Sequence, residues 1–429
     1  MEKVTIPPPS DPGTGSHEQA NRSSILSRLP TFDCLQFRDF RWLWIGTFAS
    51  FMAMNMQMIA RGWLVLRLAD DSPLALSLVM LAFATPVTFV SLIAGALADR
   101  ISRRHIVMLS QSGNVIMTLL MATLDLTGII KFWHILAIGV VNGSLMAFNM
   151  PSRQALISDI VPVERLMNAI SLNNSGMNLT RVIGPALAGV LIIYLDTAGV
   201  FYLIAGVYLF SALSMAMIHV KSTPASHDRK GMTSDIREGL SYVVGDPTLL
   251  GLVIMLFMPV LFGFSYFALL PAWAREALDV RSDGLGLLMM VMGMGSFLGT
   301  MILASMHNFS RRGALLLTNS AAWGVALALF SQTTSYGMAL PFLLIIGLLS
   351  AIFMSLSMTL MQIYSVPEMR GRVMSISMMT FGAMPLSAVP FGAIAERIGT
   401  PNALGLSGLL LAVFTIFLAV GYPRFRKIT

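Results

Sequence analysis

Asn174, Asn178, Arg181 and Pro185 follow one another at i, i+4, i+7 and i+11. On an α-helix that spacing places all four on one face. The chemistry this offers is recognition rather than bond making. A guanidinium that stays protonated attracts an anionic group, and two carboxamides donate and accept hydrogen bonds around it. Gly184-Pro185, followed by Gly189, allows the helix to bend or to be approached closely. A second run, Ser50, Met54, Gln57 and Arg61, repeats the spacing. A third cluster sets one acid among bases: Gly95, Asp99, Arg100, Arg103 and Arg104. There Asp99 can pair with Arg103 or with donors on another helix, as a latch would, or the bases can serve only to hold a loop on one side of a membrane.

The elements that carry these residues follow from composition. The chain has 429 residues, of which 55% are hydrophobic and 11% charged, against roughly a quarter charged in soluble domains. Residues 74–98 and 248–272 are long enough to cross a bilayer, which takes about 20 apolar residues. Twelve spans are expected, at 41–66, 74–98, 106–124, 133–155, 168–195, 200–218, 248–273, 284–306, 314–331, 336–363, 372–395 and 402–421. Helices are the expected form, because backbone polar groups find no partners in lipid. Most of the 28 Lys and Arg fall in the tails and even-numbered loops, so both termini are expected to be cytoplasmic. On these boundaries Arg61 lies near a span end, where it can snorkel. Arg181 lies roughly 20 Å from either end of its span, where a charge normally faces a bundle interior or a water-filled cavity.

The polar segment 219–247 divides the spans into two groups of six, and Asp235 and Glu238 suit a short helix start there. The expected organisation is a disordered cytoplasmic tail at 1–36, a six-helix bundle at 37–218, a cytoplasmic linker at 219–247, a second bundle at 248–421 and a tail at 422–429. The halves echo one another. Val161-Pro162, Arg165 and Pro185 correspond to Val366-Pro367, Arg370 and Pro390, while the position matching Arg181 is Leu386.

Several function classes are disfavoured. The net charge of +7 follows membrane topology rather than a nucleic-acid surface. Cys34 stands alone, so no internal disulfide or cysteine metal cage is expected. His and acid spacing suggests no metal site, and no phosphate-binding loop or nucleophile elbow occurs. No enzyme activity and no cofactor are therefore expected, and no signal peptide is evident in residues 1–30. No acid lies mid-span, which leaves Asp99 and Asp159 as candidates for proton coupling. The 33 Met suit either ordinary apolar filling or a plastic pocket.

The turn Gly95-Ala-Leu-Ala-Asp99-Arg100-Ile-Ser-Arg103-Arg104 resembles the loop-two signature of the major facilitator superfamily. The second half has a reduced copy, Gly299 followed by Ser310-Arg311-Arg312, without the acid. Pro151-Ser-Arg-Gln-Ala-Leu through Arg165-Leu-Met-Asn-Ala, Asn178 through Gly189, Asp235-Ile-Arg-Glu-Gly-Leu240 and Val366 through Met374 resemble its enterobactin-exporter-like branch, the transmembrane secretion effectors. The resemblance runs from about Phe37 to Arg424. It implies an all-α fold of twelve transmembrane helices in two pseudo-symmetric bundles, and alternating access. It also implies efflux more than uptake. The expected function is ion-gradient-driven export of a small amphiphilic compound, anionic to suit Arg181, by a monomer in the inner membrane with the proton as coupling ion. The alternatives are a polyspecific drug exporter and a non-transporting membrane receptor or assembly subunit. In this family, Gly-Pro motifs in the fifth span are associated with antiporters; Ala188 replaces a glycine of that pattern. Arg181, Arg61, Gln57, Asn174 and Asn178 are the expected substrate contacts.

Overall fold

The computed structural model describes residues 30–98, 102–219, 232–306, 311–366 and 369–422. The first half contains α1 (Arg38–Leu68), α2 (Pro73–Ala98), α3 (Arg103–Leu126), α4 (Phe132–Ile160) and α5 (Val163–Ala216). With 54 residues, α5 is roughly 80 Å of helix, enough for two crossings. It divides at Asp196, whose φ of 55° and ψ of 176° leave the helical region. Few residues other than glycine adopt a positive φ. Here the Asp196 carboxylate accepts the Thr197 N–H at 2.6 Å and fixes the turn.

The second half follows a short helix, α6 (Met232–Gly245). Asp246 caps the next helix by accepting N–H bonds from Thr248 and Leu249, with Pro247 in the first turn. That seventh span consists of α7 (Pro247–Met258), a π-helical turn (Pro259–Gly263) and α8 (Ser265–Leu278). Then come α9 (Ser282–Ser305), α10 (Arg312–Ser331), α11 (Tyr336–Tyr364), α12 (Arg370–Gly382), α13 (Met384–Ile398) and α14 (Thr400–Gly421). Among the described residues, ten helical stretches are long and apolar enough to cross a membrane. One of them is the double-length α5, and α12 with α13 makes a further crossing interrupted just before Pro385. The chain therefore crosses twelve times. An even count returns it to the face on which it began, here called the terminal face; the opposite face is distal.

One expectation needs correction. Residues 30–36 are not part of a structureless tail: they form a 3-10 helix, Pro30–Gln36. Cys34 is buried there and donates to Asn168 Oδ1 at 2.8 Å, and Asp33 pairs with Arg165. Burial pushes the Cys34 thiol above its ordinary range. The short helix expected in the linker spans 232–245 and is strapped to the second half, since Glu238 pairs with Arg372 and the Tyr242 hydroxyl accepts the Val366 N–H. The remainder of the expected tails and linker, residues 1–29, 220–231 and 423–429, lies outside the described residues.

The two halves have different interiors. The second is filled with aromatic rings. Trp323 has Phe264 at 5.0 Å and Phe353 at 6.1 Å between ring centroids, and Trp273 has Phe330 at 4.1 Å. Trp273 also donates to the Ser331 carbonyl at 2.9 Å, so its one polar atom is satisfied. The interior of the first half carries hydrogen-bonding side chains on every helix that meets there except α2.

Candidate functional site

The fifth-span stripe faces away from lipid. Leu179, Ile183, Leu187, Val190 and Tyr194 are all exposed and mark the outer side of α5. Arg181 lies about 160° around the helix from their mean direction. Thr180 and Gly184 pack on α1, where Asn55 donates to Thr180 and Gly184 faces the Asn55 Cβ. On the opposite flank, Pro185 and Gly189 meet α9. Arg181 thus points between α1 and α9, toward the space between the two halves. Arg181 and Asn174 are exposed there and Asn178 is half-buried.

Pro185 does not break α5, which continues through it. Proline lacks an N–H, so the Arg181 carbonyl one turn back loses its helical partner. That carbonyl faces Gly293 of α9, where an added Cβ would lie 3.1 Å away. Gly286 is tighter: a Cβ there would meet the Pro185 carbonyl at 2.6 Å. Gly189 packs on Ser282 and Gly286 in the same way. Only glycine admits backbones this close. Pro390, the counterpart in α13, is exposed, and the close approaches of its segment belong to Gly392 against Ser77 and Gly382 against Thr88 of α2.

The first-span stripe goes elsewhere. On α1, Trp44, Phe48, Met52 and Asn55 face α5 near Gly176 and Gly184, and Gln57 and Arg61 project from the other side. Gln57 is buried; it accepts from the Tyr208 hydroxyl at 3.2 Å and approaches Thr118 at 3.5 Å. Arg61 is only 9% exposed and does not snorkel. So Gln57 and Arg61 do not converge with Asn174, Asn178 and Arg181. A helical wheel gives the direction of a face, and the neighbour that fills that direction is set by tertiary packing.

Arg61 belongs to a polar column inside the first half. Toward the terminal face, Arg153 of α4 donates to Thr47 at 2.8 Å and to Asn149 at 3.1 Å. Farther along, Gln111 donates to Ser50 at 2.7 Å. Next comes the Gln57–Thr118–Tyr208 set, with Tyr208 in electrostatic reach of both Arg61 and Arg153. At the distal end Asp125 is held by Arg67 and Thr197, and Arg67 reaches Asp196 at 3.4 Å.

The halves meet near the distal face. Asp71 pairs with Arg275 at 3.7 Å, Ser72 bonds Glu396, and Arg275 lies over the Trp63 ring at 5.4 Å. Around these contacts lies a cleft of about 720 Å³ bordered by acids including Asp70, Glu276 and Asp279. At the terminal face the ion pairs among the described residues stay on one side. Arg103 bonds Asp159 at 2.6 Å within the first half, and Arg372 pairs with Glu238 of the linker helix. Arg104 donates to the carbonyls of Met215 and Ala216. The acid of the expected latch, Asp99, lies outside the described residues with Arg100, as do the surroundings of Gly95. Beyond Gly293 toward the terminal face, Gly299 of α9 packs on α11 rather than on α5. Among the described residues, the polar contacts between the halves thus cluster at the distal end, and Arg181 and Asn174 are exposed on the terminal side of them.

The profile of the transmembrane secretion effector family matches residues 30–427 of this chain. The chain belongs to that family. A multidrug efflux pump, Tap, of Mycolicibacterium fortuitum is 27% identical over 86% of this chain and 92% of its own length. The staphyloferrin A transporter of Staphylococcus aureus is 23% identical over 88% and 94%. The enterobactin exporter EntS of Shigella flexneri is 24% identical over 78% and 81%. Among solved structures, the nucleoside transporter NupG superposes with a TM-score of 0.70 at 12% identity, covering 91% of this chain and all of that one. A bacterial homologue of the lysosomal transporter Spinster gives 0.68 at 14%, over 90% and 95%. These structures share the twelve-helix fold.

As a transmembrane secretion effector, the chain is a multi-pass membrane transporter of a small molecule and not an enzyme. For such a protein the residues that sequence reasoning missed are those of the column, above all Arg153 and Tyr208. Arg153 lies two residues inside the expected end of the fourth span, at 155, yet α4 continues to Ile160 and buries it to 2% exposure. The signal was present: Asn142, Asn149 and Arg153 stand at i, i+7 and i+11, and Gln111, Thr118 and Asp125 at i, i+7 and i+14.

Proposed function

We propose that this protein is a secondary active exporter of a small amphiphilic anion, siderophore-like in character, working by alternating access. Arg181 attracts the anionic group, and Asn174 and Asn178 orient it by hydrogen bonds. In this reading the terminal face is cytoplasmic, and the exposed Arg181 takes up substrate from that side. An ion gradient, the proton gradient in the simplest case, drives the return, and the unit of transport is a monomer in the inner membrane. Arg103, with Asp99, secures the cytoplasmic end when the halves exchange. The observation that carries this reading is an arginine at mid-depth of α5, turned from lipid into the space between the halves.

Efflux measured in everted vesicles, with and without a pH gradient, tests it. Arg181→Ala is expected to reduce transport of anionic substrates at least tenfold, while expression and melting temperature are retained. Unchanged efflux of every substrate by that variant would refute the assignment of Arg181. Efflux indifferent to the pH gradient would refute proton coupling. The similarity to a multidrug efflux pump favours a second reading, in which apolar compounds are carried and Arg181 is structural. It expects neutral and cationic drugs to be exported equally by the parent protein and Arg181→Ala.

A further inference from the structure

Two guanidinium groups lie inside the first half with no carboxylate in ion-pair contact among the described residues. Arg153 is 2% exposed and Arg61 9%. Arg61 has no hydrogen-bond or ion-pair partner among the described residues, and its Nε is a buried, unpaired donor. Arg153 uses two nitrogens on Asn149 and Thr47 and leaves the third unpaired. The acids nearest in the column are committed elsewhere: Asp125 to Arg67 and Thr197, Asp159 to Arg103. Neutral donors are left over as well, the side-chain nitrogens of Asn142 and Asn149. Both belong to the α4 face that carries Arg153. The 11 residues from Arg153 back to Asn142 span ~16 Å along α4, and the 14 from Thr47 to Arg61 span ~21 Å along α1. Since Thr47 touches Arg153, Asn142 and Arg61 lie at similar depth.

An uncompensated buried cation is expensive, and arginine does not relieve the cost by losing its proton. Unpaired acceptors occur in the column too, Asn142 Oδ1 and Gln111 Oε1, but they are neutral and do not balance the charge of Arg61. From this geometry we infer that the column is an anion-binding chamber, and that a small inorganic anion of chloride's size and charge binds within it at Arg61, at the depth of Asn142, while Arg153, nearer the terminal face, adds its positive charge to the column without touching the ion. This chamber is separated by α1 from the Arg181 route. It requires no transported substrate, and Arg181→Ala leaves it intact.

The test uses the purified full-length protein in detergent, without substrate, at fixed ionic strength. Replacing gluconate by chloride is expected to raise the melting temperature by about 2–4 °C, with saturation. The double variant Arg61→Gln/Arg153→Gln is expected to lose that increment while melting no lower than the parent in gluconate, since it no longer buries unpaired charge. Equal melting of the parent in both anions overturns the inference, as does a double variant that keeps the full increment. Equilibrium dialysis of radiolabelled chloride against the parent protein decides the matter even if that variant does not fold. Saturable binding near one ion per chain supports the chamber. Absence of saturable binding overturns it and leaves water as the occupant.

Discussion

The two halves share one fold and fill it with different chemistry. In the second, Trp273, Trp323, Phe330 and Phe353 close the interior by shape, and its polar atoms serve mainly to fasten rings or helix pairs. In the first, α1, α3, α4 and the later part of α5 each contribute a polar stripe, and the stripes meet as a column of hydrogen bonds and charges. The difference teaches that the repeated architecture does not need a particular interior. Packing density suffices for the second half to act as a stiff body. The first half gives up apolar burial for groups that hold charge at defined depths, a cost tolerated where those groups have a task.

Three substitutions would break or sharpen that contrast. The largest effect is expected for Trp273→Ala. Losing a fully buried indole should cost about 3–5 kcal/mol, read as a large fall in the melting temperature of the purified protein. A small fall would mean that the aromatic interior is not what holds the second half. Gln57→Leu is nearly isosteric and leaves the Tyr208 hydroxyl without its acceptor. About 1–3 kcal/mol is expected, measured the same way, and a stabilised variant would show that the column contributes nothing to folding. The smallest effect belongs to Arg275→Gln. Arg275 and Asp71 are 41% and 51% exposed at the side chain, so their pair is worth at most about 1 kcal/mol. Its loss should barely move the melting temperature but should speed thiol labelling of a cysteine introduced at the distal cleft by Ala69→Cys, since the native Cys34 is buried elsewhere.

Much of the architecture was legible in the sequence because bilayer thickness fixes span length and charge marks the loops. The boundary between the fifth and sixth spans fell within a few residues of the Asp196 turn. The interruptions in the seventh and eleventh spans were not anticipated, since apolar runs at 248–273 and 372–395 read the same whether the helix is whole or broken at Pro259–Gly263 and before Pro385. The face of Arg181 could be read from spacing, because its lipid-facing neighbours are uniformly apolar. The surroundings of Arg61 could not, because two opposite sides of α1 are both protein-covered. Arg153 escaped notice because the expected span ended two residues beyond it, whereas α4 runs on to Ile160 and carries it into the interior.

The Asp196 turn has a mechanical consequence. No connecting loop separates the two arms of α5, so the hairpin has no slack. The arm that packs on α9 at the glycine seam and the arm that carries Tyr208 are joined by that single turn. If the seam opens in the transport cycle proposed above, the movement would pass through Asp196 into the interior of the first half. The space beside Arg181 and the buried column would then work as two ends of one lever, with the state of each felt at the other.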